Sequence, residues 1–97
     1  MAFNIENETL TLFFEGELNS FNSEEVEKEV ENILEQKGFK GIRIDMADLV
    51  YISSAGLRII VRIKQQYDDT VLVRVPSSVN DIFEMVGFQN LMKIEKK

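Results

Sequence analysis

The sequence predicts an α/β sandwich, with helices packed against a mixed sheet of four to five strands in the order β-β-α-β-α-β-α-(β). Three observations carry this. Thr9-Leu10-Thr11-Leu12-Phe13-Phe14 is β-branched and aromatic, with period-two alternation at its start. Val26, Val30, Ile33 and Leu34 recur at i, i+4, i+7 and i+8, one apolar stripe of a helix. Finally, the apolar runs at 42–46 and 70–75 are separated by enough chain for a crossover, which normally places a right-handed helical connection between parallel strands.

Taken in order, Phe3–Ile5 alternates weakly and reads as an edge strand, with a turn at Asn7-Glu8. The strand from Thr9 is expected to end at Glu15-Gly16-Glu17 and to form a hairpin with the first. Asn22 is a candidate N-cap with Glu25 three residues on, in the manner of a capping box, and Gly38 is the expected helix stop. Glu24, Glu27, Glu31 and Glu35 mark the outer face of this helix, either as a solvated surface or as an acidic patch facing a partner. Ile42–Met46 is expected near the centre of the sheet. The segment Arg58–Ile63 is β-branched, yet the crossover length favours a helix with Gly56, Ile60, Ile63 and Tyr67 on one face and Leu57 and Ile59 beside it. Arg58, Arg62 and Gln65 then fall outside. Thr70–Val75 is a strand ended by Pro76, and Ser77 or Ser78 is expected to cap a last helix that turns Ile82, Phe83 and Val86 inward. Gly87 ends that helix, Phe88 folds back, and Leu91–Ile94 adds a short final strand.

Bulk properties fit one domain spanning 1–97, without repeats or linkers. A chain of this length buries about two thirds of its unfolded surface, so one modest core is expected. The net charge of −6 argues against nucleic acid, whose binding is mostly phosphate neutralisation by Lys and Arg. The absence of cysteine is compatible with a reducing compartment. The N-terminus has no signal-peptide pattern, and no apolar run approaches the roughly 20 residues of a membrane span. The expectation is a cytoplasmic protein without membrane attachment.

The chain is organised around Ile42–Arg58, IRIDMADLVYISSAGLR. A buried strand leads through a polar break at Asp48 and a loop to Ser53 and Ser54, which stand where a new helical period begins. The first amides of a helix lack intrahelical partners and carry partial positive charge. A serine here caps the helix or accepts a phosphate whose charge the helix end partly offsets. Gly56 is expected to keep the surface bare, so that another protein can approach the backbone closely.

These same residues carry a resemblance. Ile44-Asp45, Tyr51-Ile52 and Ser53-Ser54-Ala55-Gly56-Leu57 resemble the signature of STAS domains, in particular of bacterial anti-sigma-factor antagonists, and Gly16-Glu17-Leu18-Asn19 resembles the family's Gly-Glu-Leu-Asp landmark. The resemblance covers nearly the whole chain and implies the same element order. It also implies partner switching. The unphosphorylated protein binds an anti-sigma factor that is also a serine protein kinase, phosphorylation of the signature serine releases it, and a PP2C-type phosphatase resets it. Aligned through Gly56-Leu57, the acceptor is Ser54, with Ser53 as the alternative if the loop shifts by one residue. The contact surface implied is Asn19, Ser53, Ser54, Ala55, Gly56, Leu57 and Arg58. Asn19 and Ser53 stand where the family usually has Asp, so a phosphate here would meet less repulsion. Arg58, four residues after Ser54, is either a phosphate partner or an exposed charge.

Enzymatic readings fare poorly. Without histidine there is no Ser-His-Asp hydrolysis and no usual neutral-pH acid/base. No Walker loop or GxGxxG is present, so neither a nucleotide nor another cofactor is expected. Asp45 and Asp48 read as carboxylates that cap a loop or bind water rather than as metal ligands. The alternative to the switch is a STAS adaptor that is never phosphorylated, such as the soluble subunit of a transport ATPase or another signalling complex.

Overall fold

A computed structural model describes residues 1–97. The chain forms β1 (Ala2–Glu6), β2 (Thr9–Leu18), α1 (Ser23–Leu34), β3 (Gly41–Ile52), α2 (Ser54–Gln66), β4 (Thr70–Val75), α3 (Ser77–Met85), a 3-10 turn (Phe88–Asn90) and β5 (Ile94–Lys96). The predicted order holds, and the final strand is present. The five strands lie side by side in the order β1-β2-β3-β4-β5. Only the β1–β2 pair is antiparallel, and β3 is central, as expected.

Because β2 to β5 are parallel and adjacent in sequence order, three right-handed crossovers return over the same face of the sheet. One cluster accordingly joins Leu10, Leu12, Ile42, Ile44 and Leu72 of the sheet to Val30 and Ile33 of α1, Ile60 and Ile63 of α2, and Val79 and Phe83 of α3. The apolar stripes read from the sequence for the first two helices are thus their buried faces. In the third, Phe83 is buried and Ile82 half-buried, but Val86 is exposed and Val79 takes its place. α3 starts earlier than a serine cap would allow: Pro76 is its N-cap and Ser77 already its first helical residue. Gly87 ends it at φ 78° and its N–H donates to the Glu84 carbonyl. Phe88 then stacks on Phe83 with ring centroids 5.1 Å apart.

The strands differ most from expectation. β2 does not stop at Gly16 but runs to Leu18, and β3 does not stop at Met46 but runs through the expected loop to Ile52. Twelve residues of β3 lie beside ten of β2, and the register shifts twice, between Phe13 and Glu15 and between Gly16 and Glu17. Each shift is a β-bulge with one extra residue on β3. A bulge breaks the period-two pattern, so these halves of the strands do not look like strands in the sequence. The second bulge expels Val50, which is 68% exposed between the pairs Gly16–Leu49 and Glu17–Tyr51. The last strand is shifted from 91–94 to 94–96, because the 3-10 turn consumes the residues before it.

Candidate functional site at the strand ends

The carboxyl ends of β2 and β3 and the first turn of α2 meet at one junction. The Ser53 N–H donates to the Leu18 carbonyl at 2.8 Å, tying the end of β2 to the residue that starts α2. Ser53 has extended backbone (φ −93°, ψ 173°), and its Oγ accepts from the Gly56 N–H at 3.3 Å, which makes it the N-cap. Its carbonyl closes the first helical turn by accepting from the Leu57 N–H at 2.9 Å. Ser54 is therefore the first helical residue. Its side chain is exposed and makes no hydrogen bond, while the amides of Ser54 and Ala55 have no intrahelical partner. The two serines are divided in geometry: one hydroxyl is occupied by the cap and the other is free.

Gly56 corrects the expectation of a bare contact surface. It is buried, and a methyl group in place of its hydrogen would lie 2.7 Å from Leu18 Cγ and 2.7 Å from Ile52 Cγ1. The glycine lets α2 settle onto the ends of β2 and β3; it does not leave room for another protein. Ala55 and Leu57 are half-buried around it, and Arg58 is exposed and forms no ion pair.

Asn19 and Asn22 clasp the loop that leaves β2. Asn19 Oδ1 accepts from the N–H groups of Phe21 (2.9 Å) and Asn22 (3.0 Å), and Asn22 Oδ1 accepts in return from the Asn19 N–H at 2.9 Å. Asn22 Nδ2 donates to the Glu17 carbonyl at 2.8 Å. Asn22 is thus the N-cap by position but not by hydrogen bond, and the expected capping box does not form. Its oxygen is spent on the loop before the helix. α1 also ends at Leu34, before Gly38, which lies in the following loop with φ 101°. Phe21, which the sequence reading passes over, stands in this clasp; an aromatic between asparagines with no apolar stripe to join is the available signal.

Asp45 lies earlier on β3, before the first bulge. It is 7% exposed, accepts from the Ala47 N–H at 3.1 Å and pairs with Arg74 Nε at 2.8 Å. The expected loop cap is not what forms: β3 continues past Asp45, and the carboxylate instead takes an amide of its own strand beside the first bulge. The hydrogen bond that Arg74 donates to Asp45, then the charges of Asp45 and Asp48, raise the Arg74 guanidinium above its ordinary value. Arg74 sits at φ 51° where the β4–β5 register shifts, a left-handed residue held in place by this pair. No group of three or more His, Cys, Asp or Glu side chains is placed to hold a metal ion, and no helix is long and apolar enough to cross a membrane. The largest surface groove, about 420 Å³, runs between α1 and the later turns of α2, beside the Glu27–Arg62 ion pair and away from Ser54.

The junction and its sheet have close counterparts. A protein named as an anti-sigma factor antagonist, BtrV of Bordetella bronchiseptica, is 32% identical over 84 residues, covering 82% of this chain and 72% of that protein. The crystal structure of a Thermotoga maritima protein named as an anti-sigma factor antagonist matches with a TM-score of 0.87 at 23% identity, over 99% of this chain and 86% of that one. SpoIIAA matches in its unphosphorylated form with a TM-score of 0.73 at 20% identity (96% of this chain, 87% of that one). In its phosphorylated form the TM-score is 0.65 at 19% identity (96% and 90%). These structural likenesses establish the fold. The STAS domain family model matches residues 1–97, the span that holds all five strands, both bulges and the helix that starts at Ser54, and the chain belongs to the STAS domain family.

Proposed function

We propose that this chain is an anti-sigma-factor antagonist that works by partner switching, with Ser54 as the phosphate acceptor. The observation that carries the reading is the division of labour between the serines: Ser53 holds the cap, so Ser54 Oγ is exposed and uncommitted at the first turn of α2. The relatives named as anti-sigma factor antagonists support the class of partner, and the solved phosphorylated SpoIIAA supports phosphorylation as the form of control. Unmodified, the surface around Ser54 docks on an anti-sigma factor with serine-kinase activity and releases the sigma factor. Phosphorylation then adds nearly two negative charges inside that contact. A loss of about 3 kcal/mol is more than a hundredfold in affinity, enough to dissociate the pair. A PP2C-type phosphatase restores the binding form. In this cycle the chain is a ligand and a substrate, and its partner supplies the catalysis.

The test is intact mass and site mapping of the protein recovered from its own cells during growth, starvation and stress, beside a Ser54→Ala control. A phosphate on Ser54 that is absent from the control is the expected result. Phosphate on Ser53 would keep the switch and move its site. A protein unmodified under every condition would favour the adaptor that is never phosphorylated.

A further inference from the structure

We infer that Phe21 is the apolar anchor of the partner contact, entering a pocket with an apolar floor and a basic rim on the anti-sigma factor; the inference rests on the partner-switching reading of Ser54. Phe21 is 96% exposed, more than any other large apolar residue in the chain. A side chain of this size left in water is stabilised by nothing inside the molecule, so its place in the fold has to be understood from the backbone that holds it.

That backbone is fixed. The Phe21 N–H donates to Asn19 Oδ1, which also takes the Asn22 N–H, while Asn22 returns one bond to Asn19 and sends another to the Glu17 carbonyl. An aromatic ring presented on an ordered turn loses little backbone freedom when it docks, which is how a single residue contributes strongly to an interface. The clasp also gives Asn19 a function: it positions Phe21 instead of reaching for the partner itself.

Location ties the ring to Ser54. Asn19 directly follows Leu18, whose carbonyl holds the Ser53 N–H, so the turn bearing Phe21 and the turn bearing Ser54 leave one junction. At the same end of the sheet, Tyr51 pairs with Glu17, and the bulge at Val50 exposes two further apolar side chains. Charge selects the rim. Glu17, Glu24 and Glu25 all lie within four residues of Phe21, are exposed and form no ion pair, so this acidic segment fits best a partner with Lys or Arg around its pocket. By contrast, exposed Met85, Val86 and Leu91 lie at the end of α3 and on the turn after it, with no link to the junction that holds Ser54.

The experiment is titration calorimetry of the full chain against each purified anti-sigma factor with serine-kinase activity from the source organism, with phosphorylation of Ser54 followed in parallel. Phe21→Ala is expected to weaken binding about thirtyfold or more, with Phe21→Tyr close to wild type and the thermal unfolding of both unchanged. A loss below tenfold for Phe21→Ala, with wild-type binding and Ser54 phosphorylation intact, overturns the anchor and leaves the switch standing. Wild-type protein that neither binds nor is phosphorylated by any of them overturns both.

Discussion

The Leu18 carbonyl and the Ser53 N–H, 2.8 Å apart, join two segments that are 35 residues distant in sequence into one site. Through that bond the end of β2 sets the height at which α2 begins. The glycine packed beneath, Gly56, sets how closely the helix can lie. Every residue expected at the partner surface depends on this junction.

The close approach at Gly56 makes a sharp prediction. In Gly56→Ala the new methyl must displace Leu18 and Ile52, both buried, at contacts of 2.7 Å. Overpacking of this kind costs about 1–3 kcal/mol, and the better helix propensity of alanine returns only about 1. The net, about 1 kcal/mol at the middle of that range, is expected to lower thermal unfolding by roughly 4–8 °C. The loss should shrink in the Leu18→Ala background, where the obstructing side chain is gone. A Gly56→Ala protein as stable as wild type would remove the packing account.

The two serines should separate in stability measurements. Ser53→Ala deletes the cap on the Gly56 N–H and is expected to lower stability by about 1 kcal/mol in urea unfolding. Ser54→Ala removes a hydroxyl with no intramolecular partner, and should change stability by less than about 0.5 kcal/mol. Equal losses for the two would contradict the division of roles on which the choice of acceptor rests.

Much of this arrangement is legible in the residues. The stripes of α1 and α2 follow from spacing, because each is a regular period facing one core, while the hairpin follows from the turn residues Asn7-Glu8 between two strands, the first of them mostly exposed. The junction is less so. Strand ends containing bulges lose their alternation, so Gly16–Leu18 and Ala47–Ile52 read as turn and loop. Asn22 has the sequence of a cap, but its amide is committed to Asn19 and Glu17, a preference no helix rule contains. Gly56 is visible as a glycine, while the direction in which it faces depends on Leu18, far away in the chain. Ser53 and Ser54 can be assigned as a pair on the first turn; which one caps is plain only from the extended backbone of Ser53.

The β1–β2 turn offers a stabilising substitution. Asn7 and Glu8 both have positive φ, 52° and 62°, as a two-residue hairpin loop requires, and Glu8 bears a Cβ there. A left-handed residue other than glycine costs about 1–2 kcal/mol, and glycine regains most of it against a backbone-entropy cost of about 0.5–1. The Glu8–Lys40 ion pair lost in the exchange is highly exposed and contributes little, while the Glu8 carbonyl keeps its bond from the Lys40 N–H. Glu8→Gly is therefore expected to raise stability by about 0.5 kcal/mol in chemical unfolding. A lower midpoint in the variant would count against the turn as described.

Arg58 tests what the phosphate meets once it is added. It lies one helical turn beyond Ser54, is exposed, and has no carboxylate partner to leave. In the unmodified protein Arg58→Ala should be nearly silent, within about 0.5 kcal/mol. In the protein phosphorylated on Ser54, a charge-assisted pair at i, i+4 should make wild type more stable than Arg58→Ala by about 0.5–1 kcal/mol. Arg58→Lys should keep part of that difference as a point charge without the planar fork. Because the pair is solvent-exposed, the difference should fade near 1 M salt, where the screening length drops to about 3 Å. Unfolding of wild type and Arg58→Ala, each purified with and without the phosphate, isolates the coupling as a double-mutant cycle. A coupling of zero would mean that the helix amides alone receive the phosphate, leaving Arg58 as a surface charge.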